Sequence, residues 1–166
     1  MLSIPTEETI SVEWFNACFV RAGLTGTVTG FDAERVGTGQ IGKCVRYTLR
    51  CSDQGELPAS VIGKFPSDDE NSRQTGVVLL NFLKEVRFYQ ELQHRIAIKT
   101  PRCYFAEIID QGPEFFLLLQ DLAPAQQGDQ LAGCSPQVAK AALAELVGLQ
   151  APAWCDETLH ELKWLR

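Results

Sequence analysis

The sequence predicts an α+β fold: a small antiparallel sheet with one helix packed in it, leading into the first helices of an incomplete helical region. Three observations carry that expectation. Val45, Tyr47, Leu49 and Cys51 alternate with Arg46, Thr48 and Arg50, the period-two pattern of a strand with one covered face. The stretch NSRQTGVVLLNFLKEVRFYQELQHRI, residues 71–96, places Phe82, Val86 and Tyr89 at helical spacing, and Leu79 and Leu83 widen its apolar stripe. Finally, TPRCYFAEIID and FFLLLQDL flank a QGPE turn, which reads as an antiparallel hairpin.

Taken in order, SVEWFNACFVRAGL is a helix with Ser11 as N-cap, Glu13 in its first turn and Gly23 at its stop. GTVTGFDAERVGTG carries β-branched residues into a glycine cluster. The alternating strand follows, then a turn at SDQGELP and a further strand, ASVIGKF, so that the glycines lie within a β-hairpin. The long helix and the second hairpin come next. APAQQGDQLAGC is a polar connection, and Ser135 with Pro136 starts the helix QVAKAALAELVGLQ. The chain is expected to break at Pro152 and resume as a helix toward its end. The expected division is a sheet-bearing unit over 1–122 and a linker with helices over 123–166.

At 166 residues the chain suits one domain, or one lobe and the start of another. Fifteen basic residues against 21 acidic ones give a net charge of −6, which argues against a broad nucleic-acid surface but leaves room for a local phosphate pocket. The six cysteines form no C-x-x-C pair, so reduced thiols in a cytoplasm are expected. The opening MLSIPTEETISVEWF lacks the basic-then-apolar plan of a secretory signal. No apolar run reaches the roughly 18 residues of a membrane span, and no membrane partner is expected.

The stretch VGTGQIGKC fits two phosphate-binding patterns. Gly37, Gly39 and Gly42 match G-x-G-x-x-G, while Gly37, Gly42 and Lys43 match most of G-x-x-x-x-G-K-[ST]. A dinucleotide loop must open a helix, and here a strand pattern follows. A Walker-type loop also needs a helix, together with a hydroxyl where Cys44 stands, and a thiol is a poor ligand for a hard cation. A kinase-type loop lies inside a hairpin and covers phosphates with backbone N–H groups. A plain tight turn is the remaining alternative.

Two residues favour the kinase-type loop. Lys64 lies mid-strand on the same face as Ile62, where an unpartnered ammonium would be costly. Glu85 falls within the apolar stripe of the long helix, three residues after Phe82 and four before Tyr89. A carboxylate on a packing face calls for a cation, and the preceding strand offers one. The expectation is a Lys64–Glu85 pair.

With those residues in hand, the chain resembles the N-terminal lobe of the aminoglycoside phosphotransferase and choline kinase superfamily, of protein-kinase-like fold. Its EVRFYQEL helix and FFLLLQDLAPA strand are most similar to the ecdysteroid-kinase-like branch. The likeness runs from about Val36 to Trp154. It implies ATP as cofactor, with Mg2+ in the full-length family, and phosphorylation of a hydroxyl on a small-molecule acceptor. It also implies that Gly37, Thr38, Gly39, Gln40 and Gly42 cover the phosphates, and that Lys64, braced by Glu85, contacts them. The backbone of Gln120, Asp121 and Leu122 would be the adenine hinge, and Val36, Cys44, Ile62 and Leu119 the apolar walls.

The chain departs from that family in two places. Cys44 stands where the family has valine, a small change for a purine roof. More seriously, the family's aspartate base and its metal-binding asparagine and aspartate have no counterpart after Trp154. The resemblance implies that these groups lie beyond Arg166, in a second lobe. His94 and His160 lie in no H-x-D context, and Asp110, Asp121, Asp129 and Asp156 read as turn, hinge, linker and helix start. No catalytic and no metal-binding residue is therefore expected among the 166. The chain reads as the nucleotide-covering half of a small-molecule kinase, truncated and inactive alone. The rival reading is a non-catalytic interaction domain that pairs with a partner, or with itself as a homo-oligomer.

Overall fold

The computed structural model describes residues 2–165 except 38, 40 and 130. Five strands form one antiparallel sheet: β1 (Thr27–Val36), β2 (Gly42–Asp53), β3 (Ser60–Pro66), β4 (Cys103–Ile108) and β5 (Phe115–Gln120). Their spatial order is β1-β2-β3-β5-β4. The register places Cys44 opposite Lys64, Ile62 opposite Leu119 and Lys64 opposite Leu117.

That register explains the unbroken apolar run of β5. Phe116 and Leu118 project to one side, into a core shared with Val45, Tyr47, Val61 and Phe65. Phe115, Leu117 and Leu119 project to the other, against Phe82 and Val86. A strand covered on both faces has no polar position to alternate with. β2 does alternate as expected, with Val45, Tyr47 and Leu49 buried.

Helix α1 (Val12–Arg21) covers the first side. The Ser11 hydroxyl accepts a bond from the Trp14 N–H at 3.2 Å, and Gly23 follows the helix at φ +73°. Its buried residues Trp14, Phe15, Cys18 and Phe19 recur at helical spacing. The Trp14 ring stands edge-on to Phe105 and Phe116, at 5.2 and 5.4 Å between centroids.

The other side is covered differently from the sequence expectation. One helix over 71–96 does not form. Helix α2 (Glu70–Val78) ends, Leu80 takes a left-handed conformation at φ +57°, and α3 (Asn81–Arg87) begins on a new axis. A π turn over Phe88–Leu92 and a 3₁₀ turn over Gln93–Arg95 complete the run. The cause is Phe82, whose ring stacks on Phe115 at 4.6 Å and occupies the space a Cβ on Gly76 would need. Leu79 is left exposed by the break rather than joining the stripe.

Helix α4 (Pro136–Ala153) starts at Ser135, whose hydroxyl accepts from the Val138 N–H. It ends at Ala153, one residue past the expected break at Pro152. Proline removes the donor that would reach the Gly148 carbonyl; that carbonyl accepts from the Ala97 N–H instead, at 2.8 Å. After Trp154 only short 3₁₀ turns follow among the described residues, over Glu157–Glu161 and Lys163–Leu165. No helix among the described residues is long and apolar enough to cross a membrane.

Candidate functional site

The glycine cluster joins β1 to β2. The hairpin ladder closes with Val36 opposite Cys44, and β2 begins at Gly42. A strand and not a helix leaves the loop, so the strand–loop–helix geometry of dinucleotide and Walker loops is not formed here. Gly37 lies at φ +74°, which disfavours a side chain. A Cβ on Gly39 would stand 2.5 Å from the Gly42 carbonyl oxygen, and one on Gly42 would stand 3.1 Å from that of Phe65. Thr38 and Gln40 lie outside the described residues, as does Arg166, the position beyond which the family's base and metal ligands are expected.

Lys64 and Glu85 meet. The Lys64 Nζ donates to both carboxylate oxygens of Glu85, at 2.6 Å each. β3 aims Lys64 at α3 by strand parity, since its neighbours Gly63 and Phe65 face the α1 side. α3 aims Glu85 by being anchored on either side of it, through Phe82 and Val86, both almost fully buried. The two side chains are 25% and 33% exposed, so the pair is covered below and open to solvent above. An ammonium has three N–H donors. Two are engaged, which leaves one for an incoming oxygen.

The register gathers the remaining candidates around this pair. In an antiparallel ladder, directly opposed residues share a face. Val36 and Cys44, Cys44 and Lys64, and Ile62 and Leu119 are opposed pairs, so these residues line one side of the sheet together with Leu117. Burial raises the Cys44 thiol pKa, with the nearby Lys64 charge opposing that shift. The thiol is neutral and apolar in character, suited to a wall and poorly suited to a nucleophile.

At the end of β5 the chain turns through Gln120, Asp121 and Leu122. The Gln120 N–H donates to the Arg102 carbonyl at 2.8 Å, and the Leu122 carbonyl accepts from the Ala125 N–H at 2.9 Å. Those two backbone groups are committed within the fold, so the adenine hinge expected at this turn would have to use its other donors and acceptors. The Asp121 side chain is only 6% exposed. Its carboxylate accepts from Arg46 Nε at 2.7 Å, from the Ser60 hydroxyl at 2.8 Å and from the Ala123 N–H at 3.0 Å. Burial would raise its pKa, but the bonds from Arg46, Ala123 and Ser60 outweigh that and hold it below the usual carboxylate range.

Sequence reasoning misses this latch. Alternation reads Arg46 only as the polar side of a strand, yet that polar side is the one shared with Cys44 and faces the site. The signal is present in the sequence: Arg46 and Cys44 have equal parity. The other expectations on titratable residues agree with their positions. His94 is exposed, and His160 lies 3.3 Å from Glu157 on an exposed turn. Asp129 caps the Leu131 and Ala132 N–H groups, and Asp156 caps Thr158. Among the described residues no three His, Cys, Asp or Glu side chains group as a metal site.

No family model matches this chain, and no curated protein matches it. What is established is an α+β fold built on a five-stranded antiparallel sheet.

Proposed function

We propose that this chain is the nucleotide-covering lobe of an ATP-dependent small-molecule phosphotransferase. The observation that carries the reading is the Lys64–Glu85 pair on the sheet face next to the hairpin glycine loop. In such a lobe the backbone N–H groups of Gly37, Gly39 and Gly42 cover the phosphates. Close approach there depends on missing Cβ atoms, as at Gly39 and Gly42. Lys64 places its remaining N–H on a phosphate oxygen, and Glu85 fixes the ammonium's position without removing its charge. Val36, Cys44, Ile62 and Leu119 supply an apolar surface for a purine, and the Asp121 latch holds the turn that would meet its edge. By the resemblance, the groups that hold magnesium and the acceptor belong to a second lobe, so this lobe alone binds nucleotide weakly.

Titration of 15N-labelled chain with ATP and magnesium tests this. Shifts should centre on the amides of Gly39, Gly42 and Lys64, with a dissociation constant in the range of about a millimolar or weaker, since one half of a pocket leaves most of the ligand in water. Lys64→Met should weaken binding by about tenfold or more, as expected for loss of a charge-assisted bond, while the spectrum elsewhere stays that of the folded protein. Shifts centred elsewhere, or a Lys64→Met variant that binds as well as the parent, would sink the reading.

The rival reading, an interaction domain, draws on α4. Val138, Leu143 and Val147 on that helix, with Trp154 after it, are between 56% and 80% exposed. Leu143 and Val147, four residues apart, share one face of α4, and exposed apolar side chains grouped on a face suit an interface. Its occupant would be a partner protein or a second copy, and solution mass distinguishes a self-associating chain from a monomer.

A further inference from the structure

A cavity among the described residues lies away from the Lys64–Glu85 pair. It has a volume of about 700 Å3 and opens where the segment before α1 crosses the ends of β3 and β5. Lys43 and Phe65 point into it from the α1 side of the sheet, the side opposite Lys64. Ile4, Phe65, Ile109 and Phe115 give it an apolar lining. Such a volume falls within the roughly 300–1,000 Å3 of small-molecule sites.

The charges decide what kind of molecule fits. Five carboxylates line the cavity, from Glu7, Glu8, Asp68, Glu107 and Glu114, against two cations, Lys43 and Arg73. Both cations are already held. Lys43 Nζ lies 2.6 Å from Glu7 and 2.6 Å from Asp68, and its side chain is only 13% exposed. Burial works against its charge, but the bonds it donates to Asp68 and Glu7 outweigh that and raise its pKa. Arg73 donates to the carbonyls of Ser67 and Asp68 and pairs with Glu70. Of the carboxylates, Asp68 also takes Arg35, and Glu107 takes Arg21 at 3.3 Å. Glu8 and Glu114 form no direct ion pair among the described residues, although the Lys43 charge acts on Glu8 from a distance.

An anion entering here meets excess negative charge, with both local cations engaged. A cation meets an excess of carboxylates, with Glu8 and Glu114 outside any ion pair, and its apolar body meets Ile4 and Ile109 in the lining. We infer that this cavity binds a small organic ammonium ion with an apolar or aromatic body, at a site separate from the nucleotide face.

Two probes of similar size and opposite charge test it: 2-phenylethylammonium and 3-phenylpropionate, each titrated into the 15N-labelled whole chain. The ammonium should produce saturable shifts at residues 3–8, 65–68 and 107–115, and bind about tenfold or more tightly than the carboxylate. A Glu8→Gln, Glu114→Gln double variant, altered only at the exposed rim, should bind the ammonium about tenfold more weakly, as two partly solvated ion pairs imply. Its remaining spectrum should match the parent. Lys64→Met should bind the ammonium as the parent does, which separates this outcome from the fate of the nucleotide reading. Equal affinity for the two probes, shifts centred on the Lys64 face, no saturable shift, or an unaffected double variant would each overturn the proposal.

Discussion

The Tyr47 side chain is 1% exposed, packed against Phe15 and Phe31 and over the bare Cα of Gly63. Its hydroxyl is fully buried and meets no hydrogen-bond partner among the described residues. A buried polar group without a partner costs about 1–3 kcal/mol. Tyr47→Phe removes that cost and keeps the ring. The variant should be more stable than the parent by about 1 kcal/mol, measured by urea denaturation with an unchanged m value. A variant less stable than the parent would show that the hydroxyl is satisfied after all. Legibility at this scale follows a simple rule. Lys64 and Glu85 can be paired from sequence because each breaks the pattern of its own element, a charge at an apolar position. Tyr47 breaks no pattern, since a tyrosine suits a strand core, so nothing in the sequence marks its stranded hydroxyl.

Between residues and the whole molecule, the break between α2 and α3 matters most, because α3 carries Glu85. Gly76 is buried against the Phe82 ring, which fills the place of any Cβ. Gly76→Ala would normally favour a helix. Here it forces the ring aside, and overpacking of this kind costs about 1–3 kcal/mol. The expected outcome is a destabilised chain, seen as a lower denaturation midpoint, with Glu85 less firmly held. A stabilised variant would mean that α2 tolerates the side chain and that Phe82 does not set the break. The apolar spacing of Phe82 and Val86 is readable in the sequence as helix, and helix it is. The change of axis at Leu80 is not, because it follows from where Phe115 sits on another element.

At the scale of the molecule, Asp121 ties three distant segments together: β2 through Arg46, β3 through Ser60 and the chain beyond β5 through Ala123. Its pKa is depressed in the folded state. A depressed carboxylate stabilises the fold above its unfolded pKa, near 4, and that contribution is lost as pH falls through the folded value. Asp121→Asn should therefore cost about 1–3 kcal/mol at pH 7. The gap between variant and parent should close as pH falls below about 4. Urea denaturation at a series of pH values measures both, and a gap of the same size at roughly pH 3 and pH 7 would refute the latch.

The sequence by itself determined the strands, the helical character of α1, α3 and α4 and the antiparallel hairpins, because alternation, helical spacing and turn residues are properties of neighbours along the chain. It also determined that Lys64 and Glu85 needed each other, since an ion on an apolar face has few other remedies. Only the tertiary structure decided the two-sided burial of β5, the kink at Leu80, the Arg46–Asp121 latch and the cavity under the N-terminal segment. Each of these arises where surfaces from separate elements meet, and contacts between distant segments leave no period in the sequence to be read.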